Sequence, residues 1–196
     1  MSDSAFDIQK FIDDSVKTLL APKEYFSKMA VKGGFVEPII KAAIYGVLAG
    51  AISFLWSILG IGRMAGMHSM GIATLFLTPV MAVIGLFIGG AIVLAISAIA
   101  SGSTDYEASV RVMSAGLIIM VVSALASFLY GISFVLAILV GMVVNLYGLW
   151  ILYNALVTSL AAQESVVKIV VGVLALLSII VGLWSLTAVN ILSKLS

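Results

Sequence analysis

The sequence predicts an all-α, polytopic transmembrane bundle of five spans preceded by an amphipathic helical segment. Three observations carry that prediction. Hydrophobic residues make up 63% of the 196-residue chain and charged residues only 10%, at a mean hydropathy of +1.27, whereas a soluble domain carries about 25% charged residues. Uncharged apolar stretches of roughly 20 residues recur, the length that crosses a ~30 Å hydrocarbon slab as a helix. The charges concentrate in residues 1–36 and in short corners between apolar runs.

The same composition excludes several functions. A net charge of +1 leaves no basic patch for nucleic acid. The absence of cysteine removes disulfides, thiolate catalysis and cysteine metal sites together. The opening "MSDSAFDIQKFIDDSVK" is polar and amphipathic, so no signal peptide is read.

In residues 1–36, Ile8, Phe11, Ile12, Val16, Leu19 and Leu20 fall at helical spacing, with Asp7, Lys10, Asp13, Asp14 and Lys17 largely opposite. Pro22 suits the first turn of a second short helix carrying Tyr25, Phe26 and Met29, and Gly33-Gly34 ends it. This segment is expected to lie on the membrane surface or pack under the bundle.

The five-span unit occupies residues 37–196. The first span is expected over 38–59, with Glu37 and Lys41 in the favourable i,i+4 order and Lys41 snorkelling to the headgroups. Thr78-Pro79 reads as an N-cap followed by a first-turn proline, placing the second span over 79–100. The preceding "IATLFL" then lies at the interface or extends that span as a kinked helix. Residues 112–163 carry no charge; one helix of that length would run ~75 Å, so the chain must fold back. "LYGIS" is the corner, giving spans over 110–130 and 132–160. "AAQESVVK" makes the next turn before a fifth span over 167–189.

With the N-terminus inside, the cytoplasmic side holds Lys10, Lys17, Lys23, Lys28, Lys32, Lys41, Arg111 and Lys168, and the far side only Arg63 and Lys194. That bias predicts N-terminus cytoplasmic and C-terminus outside, as in an inner membrane of a prokaryote.

Four groups of residues invite a chemical reading. In "SGSTDYEASVRVMSAG", Thr104 and Glu107 have capping-box spacing, Asp105 suits the positive helix end, and Glu107 and Arg111 suit an i,i+4 pair. Tyr106, expected to be exposed beside these charges, makes Asp105, Tyr106, Glu107 and Arg111 a candidate partner-contact set. In the fourth span, Tyr147, Asn154 and Thr158 form a polar stripe, while Asn145 shares another face with Gly141 and Gly148. Helix-to-helix hydrogen bonding outweighs substrate binding for both asparagines. Gly46-x-x-x-Gly50 and Gly85-x-x-x-Gly89 signal close packing within the bundle or an oligomer. Met64, Met67, His68 and Met70 offer soft donors suited to copper(I). Nine methionines in an apolar chain, with no second such cluster, favour ordinary packing. No metal or other cofactor is expected, nor an enzyme, since no nucleophile-base set, carboxylate pair or phosphate loop is present.

Three stretches resemble one family. "LLAPKEYFSKMAVKGGFVEPIIKAAIYGVL" is similar to the start of a prokaryotic-type Yip domain, of the Ypt/Rab-interacting membrane proteins, where a "P-x-x-[FY]-F" segment precedes the first span. "TPVMAVIGLFIGGAIVLAISAIASGSTDYEASVRVMSAG" resembles its second span, glycine-and-serine loop and "R-V" start of the third. "GLWILYNALVTSLAAQESVVKIVVGVL" resembles its fourth-to-fifth span region. The likeness covers roughly residues 19–190. It departs in lacking a histidine late in the second span, a proline in the third, and the acidic "DLYGP"-like motif of eukaryotic members. The resemblance implies five spans and a cytoplasmic N-terminus; small-GTPase binding, without that motif, does not carry over.

Two functions are consistent with this reading. One is a non-enzymatic membrane scaffold or membrane-organising protein whose cytoplasmic face recruits partners, within the lipid bilayer and alone or as a homo- or hetero-oligomer. The other is a small permease or lipid-translocating bundle using the stripe in the fourth span. A polar cavity reaching mid-membrane favours the second, a filled bundle the first.

Overall fold

The structure, a computed structural model, describes residues 6–61 and 71–192. Two short polar helices come first: α1 (Ile8–Leu20) and α2 (Pro22–Lys28). The apolar rods α3 (Val36–Ile58) and α4 (Ala73–Ile99) follow. The third rod is composite, with α5 (Tyr106–Gly116) and α6 (Ile118–Ala126) interrupted only at Leu117 and closed by a 3-10 turn over Ser127–Gly131. Helices α7 (Phe134–Thr158) and α8 (Glu164–Leu192) complete the chain. Five of these rods are long and apolar enough to cross a membrane. The all-α, five-span expectation holds, and the protein is a multi-pass membrane protein.

The second span does not start at Pro79. Helix α4 begins at Ala73, so "IATLFL" forms its first turns and Pro79 sits inside it. The Thr74 N–H and hydroxyl both donate to the Gly71 carbonyl, at 3.2 and 2.6 Å, and start the helix there. The missing proline N–H is tolerated in a membrane helix when neighbouring groups re-satisfy the freed backbone. Pro79 also lies against Gly46 of α3. A Cβ built on Gly46 would lie 2.5 Å from the Pro79 Cα, and one on Gly50 would lie 2.9 Å from the Thr74 carbonyl oxygen. The first glycine motif therefore seals α3 against α4. In the second, Gly89 meets Met113 while Gly85 faces open space.

Two buried clusters organise the bundle, and each receives an aromatic anchor from the N-terminal helices. Phe11 of α1 joins Tyr45, Leu86, Val110 and Ile118. Tyr25 and Phe26 of α2 join Val112, Ile151, Leu156 and Leu160. The N-terminal segment is thus packed against the bundle. Its apolar residues divide, however: Phe11 is buried with Ser15 and Thr18, while Ile8, Ile12, Val16 and Leu20 remain exposed.

On the same end of the bundle, two loops lock together. The Ser103 N–H donates to the Leu160 carbonyl and the Gln163 N–H to the Ala100 carbonyl, each at 2.7 Å.

Candidate functional site

The end of the bundle that carries α1 and α2 holds a connected set of charges, built on the first turns of α5. Asp105, not Thr104, is the N-cap: its Oδ1 accepts the N–H of Glu107 at 2.9 Å and of Ala108 at 3.3 Å. The capping box of Thr104 and Glu107 does not form, because Glu107 is committed elsewhere. Its Oε1 accepts two successive backbone N–H groups, those of Gly33 and Gly34, each at 2.6 Å.

The expected Glu107–Arg111 pair is also absent, and again a long-range contact wins. Arg111, 7% exposed, points beneath the loop between α2 and α3. Its Nε donates to the Ala30 carbonyl at 2.9 Å, its Nη1 to the Gly34 carbonyl at 3.3 Å and its Nη2 to Glu37 Oε2 at 2.7 Å. Glu107 and Arg111, one turn apart on α5, therefore clasp the Gly33–Gly34 corner from two sides, one taking its donors and the other its acceptors. Both glycines have positive φ, +135° and +80°, which other residues rarely adopt. A Cβ at Gly33 would also stand 3.0 Å from Arg111 Nη2.

Glu37 extends the set to α3 and α1. Its second oxygen lies 2.9 Å from Lys41 Nζ, which in turn lies 3.2 Å from Asp14 of α1. The Glu37–Lys41 pair is as expected, but Lys41 does not snorkel outward. It is 6% exposed and turned into the protein, where Asp14 and Glu37 supply the charge that headgroups would otherwise provide. Next to it, Ser15 shares a 2.7 Å hydrogen bond with the Tyr45 hydroxyl. A cavity of about 320 Å³ opens above this network, lined by Lys10, Asp14, Lys17, Glu24, Lys41 and Arg111 among others.

Tyr106 is half-buried rather than exposed. Its hydroxyl donates to the Phe87 carbonyl at 2.9 Å and its ring packs near Phe35. Of the four loop residues, Asp105 keeps one outward contact, a 3.0 Å pair with exposed Lys32. That hydrogen bond from Lys32, and next the backbone N–H of Ala108, hold the Asp105 carboxyl below the usual carboxylate range. A carboxylate with a lowered folded pKa adds stability above its unfolded value, and that stability is lost as pH falls through the folded one. Acidification below the usual carboxylate range will therefore lower the unfolding midpoint of the wild type more than that of Asp105→Asn, read by thermal denaturation in detergent. At neutral pH, Asp105→Ala will lower the midpoint while Thr104→Ala, at an exposed position without a capping bond, will leave it unchanged.

The polar stripe of α7 is spent internally. The Asn154 amide donates to the Trp150 carbonyl at 2.8 Å and the Thr158 hydroxyl to the Asn154 carbonyl at 2.5 Å. The Tyr147 hydroxyl donates to the Leu19 carbonyl at the end of α1. Asn145 lies on a different face and is exposed, while Gly148 beside it packs on Ile119. Met64, Met67, His68 and Met70 fall outside the described residues, and so does the copper reading. Among the described residues no cluster of three His, Cys, Asp or Glu is placed to hold a metal.

The clasp was the feature hidden from sequence reasoning. Its available signals were Arg111, a charge several residues into an apolar rod, and a glycine pair where one glycine would end a helix. Both pointed to a partner distant in sequence, which local i,i+4 spacing could not supply.

A family model described as the Yip1 domain matches residues 16–186. Neither a curated protein nor a solved structure matches the chain.

Proposed function

We propose that this chain, which belongs to the Yip1 domain family, is a non-enzymatic scaffold that organises membrane and recruits partners through its N-terminal end. One observation carries the reading: the polar side chains that a conduit would need are committed to the fold. Asn154 and Thr158 bond to the backbone of their own helix and Tyr147 bonds to α1. Three cavities among the described residues, of about 320, 250 and 490 Å³, each include residues of the N-terminal segment or the loop after it, at one end of the bundle. In a bilayer, where every unpaired polar group is costly, groups already satisfied by backbone do not serve a moving cargo.

The clasp contributes a fixed platform. With Arg111, Glu37, Lys41 and Asp14 linking α5, α3 and α1, the exposed charges of α2, Lys23, Glu24 and Lys28, stand on a rigid base rather than a loose tail. This is the outward face offered to a partner. Photo-crosslinkers at positions 23, 24 and 28 in native membranes are expected to give discrete protein adducts. Adducts to lipid alone would contradict partner recruitment.

The platform faces the cytoplasm in this reading, because eight of the ten Lys and Arg residues lie on that side of the five-span topology. Reporter fusions after Lys32, Met67, Tyr106, Glu164 and Ser196 will read in, out, in, in, out. A cytoplasmic signal after Met67 or Ser196 overturns the orientation.

A further inference from the structure

Helix α1 has three faces, not two. Phe11, Ser15 and Thr18 are buried against the bundle; Gln9, Lys10, Asp13 and Lys17 are exposed and polar; Ile8, Ile12, Val16 and Leu20 are exposed and apolar. At 100° per residue, the last four form a stripe at i, i+4, i+8 and i+12, lying between the buried face and the polar face. A helix floating in water beside a bundle has no use for such a stripe. One lying in the plane of a bilayer, with protein on one side, water above and acyl chains below, requires it.

The height of α1 agrees. Three contacts fix it against two different rods. Ser15 meets Tyr45, nine residues into α3; the Phe11 ring packs on the same Tyr45 with centroids 5.1 Å apart; and Leu19 meets Tyr147, eleven residues before the end of α7. At 1.5 Å per residue these points lie about 14–16 Å from the rod ends on that side. The levels agree at both halves of α1, as they do for a helix lying along the end of the bundle across the rods. The two rods have 23 and 25 residues, or about 35–38 Å, which exceeds a ~30 Å slab by about 5–8 Å. Even with the whole excess on this side, α1 sits roughly 5–10 Å inside the hydrocarbon edge, the depth of an interfacial amphipathic helix. The polar cavity above it, lined by Lys10, Asp14 and Lys17, admits water to its upper face.

We propose that the Ile8/Ile12/Val16/Leu20 stripe is inserted among the acyl chains of the leaflet on the N-terminal side, so that α1 acts as a wedge in that leaflet alone. A 13-residue helix about 10 Å across and ~20 Å long occupies roughly 200 Å² of one leaflet. Among the described residues the protein is therefore broader in that leaflet than in the other, and it favours membrane that is convex on that side. This rests on the membrane-organising part of the proposed function and supplies its physical means; it is independent of whether a protein partner binds α2.

The chain has no cysteine, so single cysteines can be introduced into the full-length protein and spin-labelled in phosphatidylcholine vesicles. Labels at 8, 12, 16 and 20 are expected to be relaxed more by dissolved oxygen than by an aqueous nickel chelate, and labels at 9, 13 and 17 the reverse. Preferential relaxation of the first set by nickel, or dipolar broadening there that reveals a second copy, overturns the insertion. In tethers pulled from giant vesicles with the N-terminal side outward, wild type will be enriched over the parent membrane, and Ile12→Ser with Val16→Ser will lose that enrichment. Equal enrichment of the two overturns the wedge. Both positions face away from the bundle, so an unchanged unfolding midpoint will verify that the variant is folded. Crosslinking failure at α2 with normal spin-label depths would discard partner recruitment and leave the wedge intact.

Discussion

Arg111→Ala will destabilise the protein by about 3 kcal/mol or more, the cost of breaking a buried ion pair by removing one partner. The guanidinium is 7% exposed and serves the Ala30 carbonyl, the Gly34 carbonyl and Glu37 at once. Its loss leaves two backbone acceptors beneath a loop without donors, while Glu37 keeps Lys41. Lysine will not substitute fully. A point charge on a flexible stem cannot bridge three acceptors in the fork geometry of arginine. Arg111→Lys will therefore fall between wild type and alanine in unfolding midpoint, measured in the same detergent. If Arg111→Ala unfolds with the wild type, the clasp does not hold the N-terminal segment and the rigid-platform argument fails with it.

Gly46→Ala will cost about 1–3 kcal/mol, the usual range for overpacking a tight core. The added methyl would stand 2.5 Å from the Pro79 Cα and 2.9 Å from the Ala82 Cβ. Pro79 is backbone and cannot swing aside as a side chain end can, so α3 and α4 must separate. Gly85→Ala is the control: its Cβ meets nothing within 4 Å, and alanine is the better helix former by up to about 1 kcal/mol. That variant will match or exceed wild type in denaturant unfolding. Equal losses at both positions would mean that close approach of α3 to α4 is not what Gly46 provides.

The five rods were legible because hydropathy and length alone decide them. Their corners were legible because glycine, serine and charge interrupt otherwise uniform apolar sequence. Pro79 misled because a Thr-Pro pair has the same appearance at a helix start and inside a membrane helix, and only the Gly46 contact distinguishes the two. The loop before α5 misled more deeply. Its residues satisfy every local rule for a capping box and an i,i+4 pair, yet Glu107 and Arg111 spend their charges on a glycine corner more than seventy positions away. A local pair at a helix surface is worth a few tenths of a kcal/mol. Charge-assisted bonds to backbone groups are worth roughly 1.5–3 kcal/mol, so the distant partners win. Similarly, helical spacing identified the apolar positions of α1 but could not divide them between protein and exterior, since that division depends on what packs beside the helix.

Lipid translocation measured in reconstituted vesicles separates a scaffold from a conduit without reference to any partner. Vesicles carrying a fluorescent phospholipid in both leaflets, with purified protein, are treated with dithionite, which bleaches only the accessible leaflet. A scaffold will give the same half-loss of signal as protein-free vesicles, with Asn154→Leu and Thr158→Val making no difference. Continued loss from the inner leaflet that depends on the protein, and that those two substitutions abolish, would contradict the scaffold.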